Sequence, residues 1–275
     1  MSLDLSNLKQ PTVFEQSKNI LGMISAENVV VKKLAMAISE DPVLSATLIR
    51  YANAPLYRRR VEIRNVLNAV NLLGIKNVRL AVYVATMRSF SDMATDTHNM
   101  LWEHSFGVSA LAKIIAKKTC PRQADDIELT ALMHDMGSLV LSTNFPGEYD
   151  QLMKHSIEQQ IPLHIVEKEM FGKTHDEILT VIADDIRLPD VTRQALSCFH
   201  EREPLSEVKT ALHFHIAVVA LAHHLEQSVY SVKGHPVESI PESLDTLQLY
   251  LDLTSDDLQN IIEDYEHMLN EKYAI

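Results

Sequence analysis

Residues 125–142 read DDIELTALMHDMGSLVLS, an apolar run that opens on two aspartates and is interrupted by a single ionisable pair, His134-Asp135. We read it as a helix whose acidic start suits the positive end of its dipole. The apolar spacing i, i+3, i+4, i+7 recurs in VVKKLAMAISEDPVLSATLIRYAN (30–53) and SFGVSALAKIIAKKT (105–119), and sustained apolar–polar alternation is hard to find. Glycine is scarce, 7 of 275 residues, which is poor material for tight hairpins. The chain is expected to be all-α.

Punctuation supports this. Asp41-Pro42 fits an N-cap followed by proline in the first helical turn, and Pro55 marks the turn beyond that helix. IRNVLNAVNLLG (63–74) reads as a helix stopped by Gly74, and NVRLAVYVATMRSF (77–90) is apolar almost all round, as a buried helix is. The polar stretch SDMATDTHN (91–99) separates an N-terminal helical subdomain, residues 8–95, from a second helical subdomain, residues 96–230. A loop and an acidic helix follow over 231–275.

Composition limits the function classes. Acidic residues outnumber basic ones 37 to 25, for a formal charge of -12, which opposes phosphate neutralisation and argues against a nucleic-acid partner. The basic cluster YRRRVEIR (57–64) is too short to reverse that. Mean hydropathy is -0.04, and no apolar run approaches the roughly 20 residues that span a bilayer. The start MSLDLSNLKQ lacks the regions of a signal peptide. We expect a cytoplasmic protein without a membrane partner. Cys120 and Cys198 have no CxxC spacing and read as ordinary buried thiols.

The 13 histidines are unevenly placed. His98, His155, His164, His235 and His267 have polar surroundings and are expected in solvent. His104, His134, His175, His200 and the His223-His224 pair stand in apolar or carboxylate-bearing contexts. Each alone is more often a hydrogen-bonded core residue than a ligand, yet one bundle core can gather several around one point. Adjacent residues on a helix diverge by about 100°, so His134 and Asp135 can share an ion only if it lies between their directions. His213 and His215 face nearly opposite ways, and His215 stands about 12 Å along the axis from His223. Of this late group only His223 or His224 is usable. Imidazole with carboxylate suits iron, zinc or manganese.

The order His104, His134-Asp135 and later histidines on helices resembles the HD superfamily of metal-dependent phosphohydrolases. AISEDPVLSATLIRYANAPLY (37–57) followed by EIRNVLNAVNLLGIKNVRLAVYVATMRSF (62–90) resembles more narrowly the HDOD family, the HD-related output domain of bacterial signalling proteins, over roughly residues 8–226. The resemblance implies an HD-like helical bundle. It also implies a divalent-metal set drawn from His104, His134, Asp135, His175, His200 and His223. The chain departs from the hydrolase pattern at three points: His223 stands where the distant aspartate falls, Met136-Gly137-Ser138 replaces the usual IGK, and EREPLSEV (201–208) replaces a Gly-Tyr-Pro loop. Two readings follow. The first is a non-catalytic signalling module that binds a partner protein or small ligand. The second is a phosphohydrolase in which Asp135 or Asp176 orients the nucleophile, with Arg79 or Arg88 supplying the charge that Ser138 lacks.

Overall fold

The computed structural model describes residues 12–26, 28–53, 62–89, 95–197, 199–200, 203–205, 209–229 and 240–273. Pro55, Cys198 and His235 lie outside them. The protein is all-α, with no strand among the described residues, and no described helix is long and apolar enough to cross a membrane. The described residues form two compact units, one within 9–92 with 184–187 and the other within 93–183 with 188–275.

The smaller unit holds α1 (Thr12–Ile24), α2 (Val31–Ser39), α3 (Pro42–Ala52) and α4 (Val66–Ser89). The Asp41 carboxylate accepts from Val43 N and Leu44 N, so the Asp-Pro pair starts α3 as expected. Helix α4 breaks at Gly74, whose φ of 71° suits glycine, and its second half is buried through residues 80–87. Asn53 clamps the returning chain by donating to Ile63 O and accepting from Ile63 N. Arg79 and Arg88 belong to this unit.

The larger unit is built around α5 (Asp96–Thr119), which packs on α6 (Ala124–Met133), α12 (Ala211–Val229) and α14 (Ser255–Tyr273). A 3-10 turn, Pro121–Gln123, joins α5 to α6. Val108, Leu111, Ile115, Ile127 and Leu221, all fully buried, form the apolar centre of this packing. Lys113 of α5 meets Glu128 of α6 as a buried ion pair, where burial pushes the Glu128 pKa up against the pull of Lys113.

The helix expected over 125–142 is two helices. Helix α6 ends at Met133, α7 (Met136–Asn144) begins at Met136, and Asp135 between them has φ -100° and ψ 14°. The break costs few backbone hydrogen bonds, since Leu139 N still reaches Asp135 O at 3.1 Å. It is invisible to apolar periodicity because the run is continuous on both sides. Four further helices, α8 (Pro146–Gln159), α9 (Leu163–Phe171), α10 (His175–Ile182) and α11 (Asp190–Leu196), carry the chain to α12. The seven-residue α13 (Leu244–Tyr250), capped by Ser243, is an element the sequence reading leaves unassigned.

Beneath α12, the buried His215 Nδ1 lies 2.7 Å from Thr130 Oγ1, which also meets Thr192 Oγ1 at 3.0 Å. Burial lowers the His215 pKa to about 4, with Asp126 acting the other way. The native state therefore holds this imidazole neutral. The stability it confers is complete above the unfolded value of about 6.5 and is lost as pH falls from there toward 4. Urea unfolding at pH 7 and pH 5 should show wild type losing more stability than His215→Asn, by at most about 1.4 kcal/mol per pH unit for one group.

Candidate metal centre

Five separated stretches of the larger unit each deliver a polar group to one interior point. Helix α5 supplies His104 and α12 supplies His223. His134 closes α6, and Asp135 occupies the break before α7. Because Asp135 has left helical geometry, its side chain does not diverge from that of His134, and His134 Nε2 stands 3.3 Å from Asp135 Oδ2. Gly172, with φ 76°, ends α9. Thr174 and Glu177 then form a capping box that opens α10 on His175 and Asp176. His200 lies in the irregular segment after α11.

The donors fall into two groups. Ring nitrogens of His104, His134 and His223 lie within 4.8 Å of one another, and so do donor atoms of His175, Asp176 and His200. Asp135 stands between the groups. Its Oδ2 is 3.3 Å from His134 Nε2 and 3.7 Å from His104 Nε2, while its Oδ1 is 3.9 Å from His175 Nε2. His175 Nε2 is in turn 3.6 Å from Asp176 Oδ1. All seven residues are between 0 and 5% exposed.

The outward ring nitrogens are held by acceptors. His104 Nδ1 donates to Glu226 Oε2 at 2.7 Å, His134 Nδ1 to the Ala131 carbonyl at 2.7 Å and His175 Nδ1 to Glu167 Oε2 at 2.6 Å. His200 Nδ1 donates to Asp176 Oδ2 at 3.1 Å. Carboxylate and carbonyl oxygens only accept, so these four Nδ1 atoms carry protons, and His104, His134 and His175 turn Nε2 inward toward Asp135. The Nε2 atoms of His104 and His134 are only 3.3 Å apart.

Charge is arranged to match. Burial alone would raise the Asp135 pKa, but His134, His104, His175 and His200 outweigh it and hold it at about 2. Asp176 is lowered in the same way, burial being overcome by His200 and His175. Burial also disfavours charge on His175, yet Glu167, Asp176 and Asp135 raise its pKa well above the ordinary value. His223 is driven well below it by burial and by the neighbouring His104 and His134.

These residues fit a divalent metal. Asp135 Oδ1, His175 Nε2, Asp176 Oδ1 and both ring nitrogens of His223 are buried without a hydrogen-bond partner, a cost an interior bears only when something else satisfies them. Two donors each about 2.1 Å from one ion stand about 3.0 to 3.4 Å apart at octahedral to tetrahedral angles. The separations of 3.3 Å around His134 Nε2 fall in that interval. Imidazole ligands whose other nitrogen is fixed by a carboxylate or carbonyl are the usual arrangement at metals.

All the candidate donors, His104, His134, Asp135, Asp176, His175, His200 and His223, are thus brought to this point, while His224 turns away and bonds Glu242 O. Two expectations are corrected. His98 and His164 are buried, not solvated: His98 pairs with Ser142, and His164 stacks on His200 with ring centroids 5.0 Å apart. Their polar sequence neighbours point elsewhere, and tertiary packing decides their burial. His155 and His267 are exposed as expected. The supporting carboxylates went unread. Glu167, fully buried, accepts from His175 N and Nδ1, Ser138 Oγ and Tyr149 Oη. Its only sequence signal is a position four residues from Phe171 on an apolar helix face. Glu226 follows His223 by three residues, one turn on, and that spacing could have revealed it.

The all-helical fold is shared with solved relatives. The HDOD domain model matches residues 10–202, and the chain belongs to that family. A solved HDOD domain protein of unknown function from Geobacter sulfurreducens is 24% identical, with a TM-score of 0.71 over 96% of this chain and 91% of that one. A Shewanella amazonensis SB2B protein provisionally named a phosphohydrolase is 19% identical, with a TM-score of 0.70 over 97% of this chain and 92% of its own. An uncharacterized protein of Treponema pallidum (strain Nichols) is 24% identical over 226 residues, 80% of this chain, and the match spans 42% of that relative's length.

Gly137, in the HDMG run, has no room for a side chain. A Cβ there would meet the His175 carbonyl oxygen at 2.1 Å and its carbon at 2.7 Å, both backbone atoms that cannot swing aside. Gly137→Ala should therefore separate α7 from α10 and draw Asp135 away from His175. We expect a loss of about 1–3 kcal/mol in urea unfolding, together with weakened retention of divalent metal measured by elemental analysis.

Proposed function

We propose that the protein is a metal-dependent HDOD signalling module, in which a buried divalent-metal centre fixes the conformation a partner protein or small ligand reads. The observation that carries this is the common orientation of three histidines: His104, His134 and His175 each anchor Nδ1 outward and turn Nε2 toward Asp135. His104, His134, His223 and Asp135 Oδ2 would hold one ion, and His175, His200, Asp176 and Asp135 Oδ1 a second. Iron, zinc and manganese suit that mixture of nitrogen and oxygen.

The charges support two dications. Asp135, Asp176, Glu167 and Glu226 are four buried carboxylates in and around the donor set, and four negative charges are the complement of two divalent ions. Without ions the interior would have to recruit protons onto imidazoles, as the raised pKa of His175 indicates. A bound ion supplies positive charge and Lewis acidity at this point. The chain's own residues orient the ligands, exclude bulk water and hold His175 by two bonds to Glu167.

Two features favour a signalling role over turnover. The donors are at most 5% exposed, which gives a phosphate ester no approach. Ser138, where hydrolases often place lysine, is fully buried and donates to Glu167 at 3.1 Å, so it offers a substrate neither charge nor a free hydroxyl. The rival hydrolase reading draws on Asp135, whose two oxygens face the two donor groups as a carboxylate does in two-metal hydrolytic sites.

Protein purified without chelator should carry divalent metal approaching one ion per donor group, measured by elemental analysis, and His134→Ala and Asp135→Ala should each lose most of it. No hydrolysis of nucleotides, cyclic dinucleotides or aryl phosphates above background is expected with iron, manganese or zinc added. Metal-dependent turnover abolished in both variants would make the protein a hydrolase instead.

A further inference from the structure

We infer that Glu226 is a positioning residue for the half of the centre built by His104, His134 and His223, placing through His104 a negative charge beside a donor group made of three imidazoles. The inference rests on the metal-centre reading above. Glu226 lies beyond residue 202, where the family match ends, so membership of the family assigns it nothing.

The geometry is specific. Glu226 Oε2 accepts from His104 Nδ1 at 2.7 Å, with both residues buried. His223 and Glu226 are three residues apart on α12 and share a face, so one turn of helix presents a ligand and the carboxylate that orients another. On the facing helix the same interval separates His104 from Gly107. A Cβ at Gly107 would lie 3.2 Å from Glu226 Cγ, 3.3 Å from Glu226 Oε1 and 2.7 Å from the Tyr265 hydroxyl. The bare glycine backbone is what lets Glu226 and Tyr265 close on this turn of α5. His104-x-x-Gly107 against His223-x-x-Glu226 is thus one fitted unit.

The chemistry separates His104 from its neighbours. His134 Nδ1 has a neutral carbonyl as partner, and neither nitrogen of His223 has one. Among the three rings only His104 is backed by a carboxylate, which fixes the proton on Nδ1, makes Nε2 a stronger donor and places a compensating charge just outside the ligand set. Glutamate one turn after His223 thereby sets a negative charge beside this donor group without itself touching the ion.

The test uses the full-length protein, stripped of metal and titrated with zinc alone against a chromophoric chelator, wild type beside Glu226→Gln. Glutamine keeps an acceptor but loses the charge. Zinc affinity should fall about 10- to 100-fold in one binding step and stay unchanged in the step assigned to His175, Asp176 and His200. Imidazole nitrogen NMR of the metal-free protein should show His104 protonated on Nδ1 in wild type and a mixture of tautomers in the variant. Should Glu226→Gln fail to fold, Glu226→Asp keeps the charge on α12 but withdraws it from His104 Nδ1, and a loss confined to the same step, with the same tautomer mixture, is expected. Wild-type protein that takes up no zinc overturns the metal-centre reading and this inference with it. Zinc binding in two steps that both variants leave unaltered, or weaken equally, overturns this inference alone, because a carboxylate that merely ties α5 to α12 would not act on one step.

Discussion

A carboxylate that stays ionised at 2% exposure dictates most of what surrounds it. Asp135 is held at a pKa of about 2 against the effect of burial, and only nearby positive charge or converging donors can sustain that in an interior. The α6–α7 break, the capped start of α10 and the pairing of α5 with α12 are the backbone solutions to this one demand. Each places an imidazole within 4 Å of an Asp135 oxygen or brings one alongside those that are. The apolar packing of α5, α6 and α12 supplies the stability on which so costly a cluster can be mounted.

Around this centre several polar groups act as supports. Ser138, Tyr149 and the backbone of His175 all converge on Glu167, which has no exposure. Burial and Glu167 together raise the Tyr149 pKa well above its ordinary value, so the phenol remains a donor and the hub stays intact across the physiological range. Such a network rigidifies, because every member depends on the others for its hydrogen bonds. It fixes the geometry of the donor set from one side.

Much of the fold was legible because helices announce themselves by apolar spacing and by residues such as Asp41, Pro42 and Gly74 whose backbone preferences are strong. The α6–α7 break was not, since His134-Asp135 interrupts the run without altering its apolar phase, and α13 is too short to show a period. Imidazoles set among apolar residues can be singled out in the sequence. Their sorting into two groups on either side of Asp135 depends on side-chain directions that no spacing encodes. Glu167 and Glu226 escaped for a different reason: a glutamate on a helix reads as solvated unless one knows which face is covered. His98 and His164 were misjudged by the same logic in reverse.

The enclosure of the donors also sets a clock. With none more than 5% exposed, an ion reaches or leaves them only when α5, α10 or α12 parts from its neighbours, so exchange proceeds at the frequency of local opening and not of diffusion. The ligands span residues 104 to 223, and the last of them arrives on α12 after most of the chain has emerged. An ion held by these donors would therefore exchange slowly with its surroundings, and its lifetime in the site would be that of the closed packing of α5, α10 and α12.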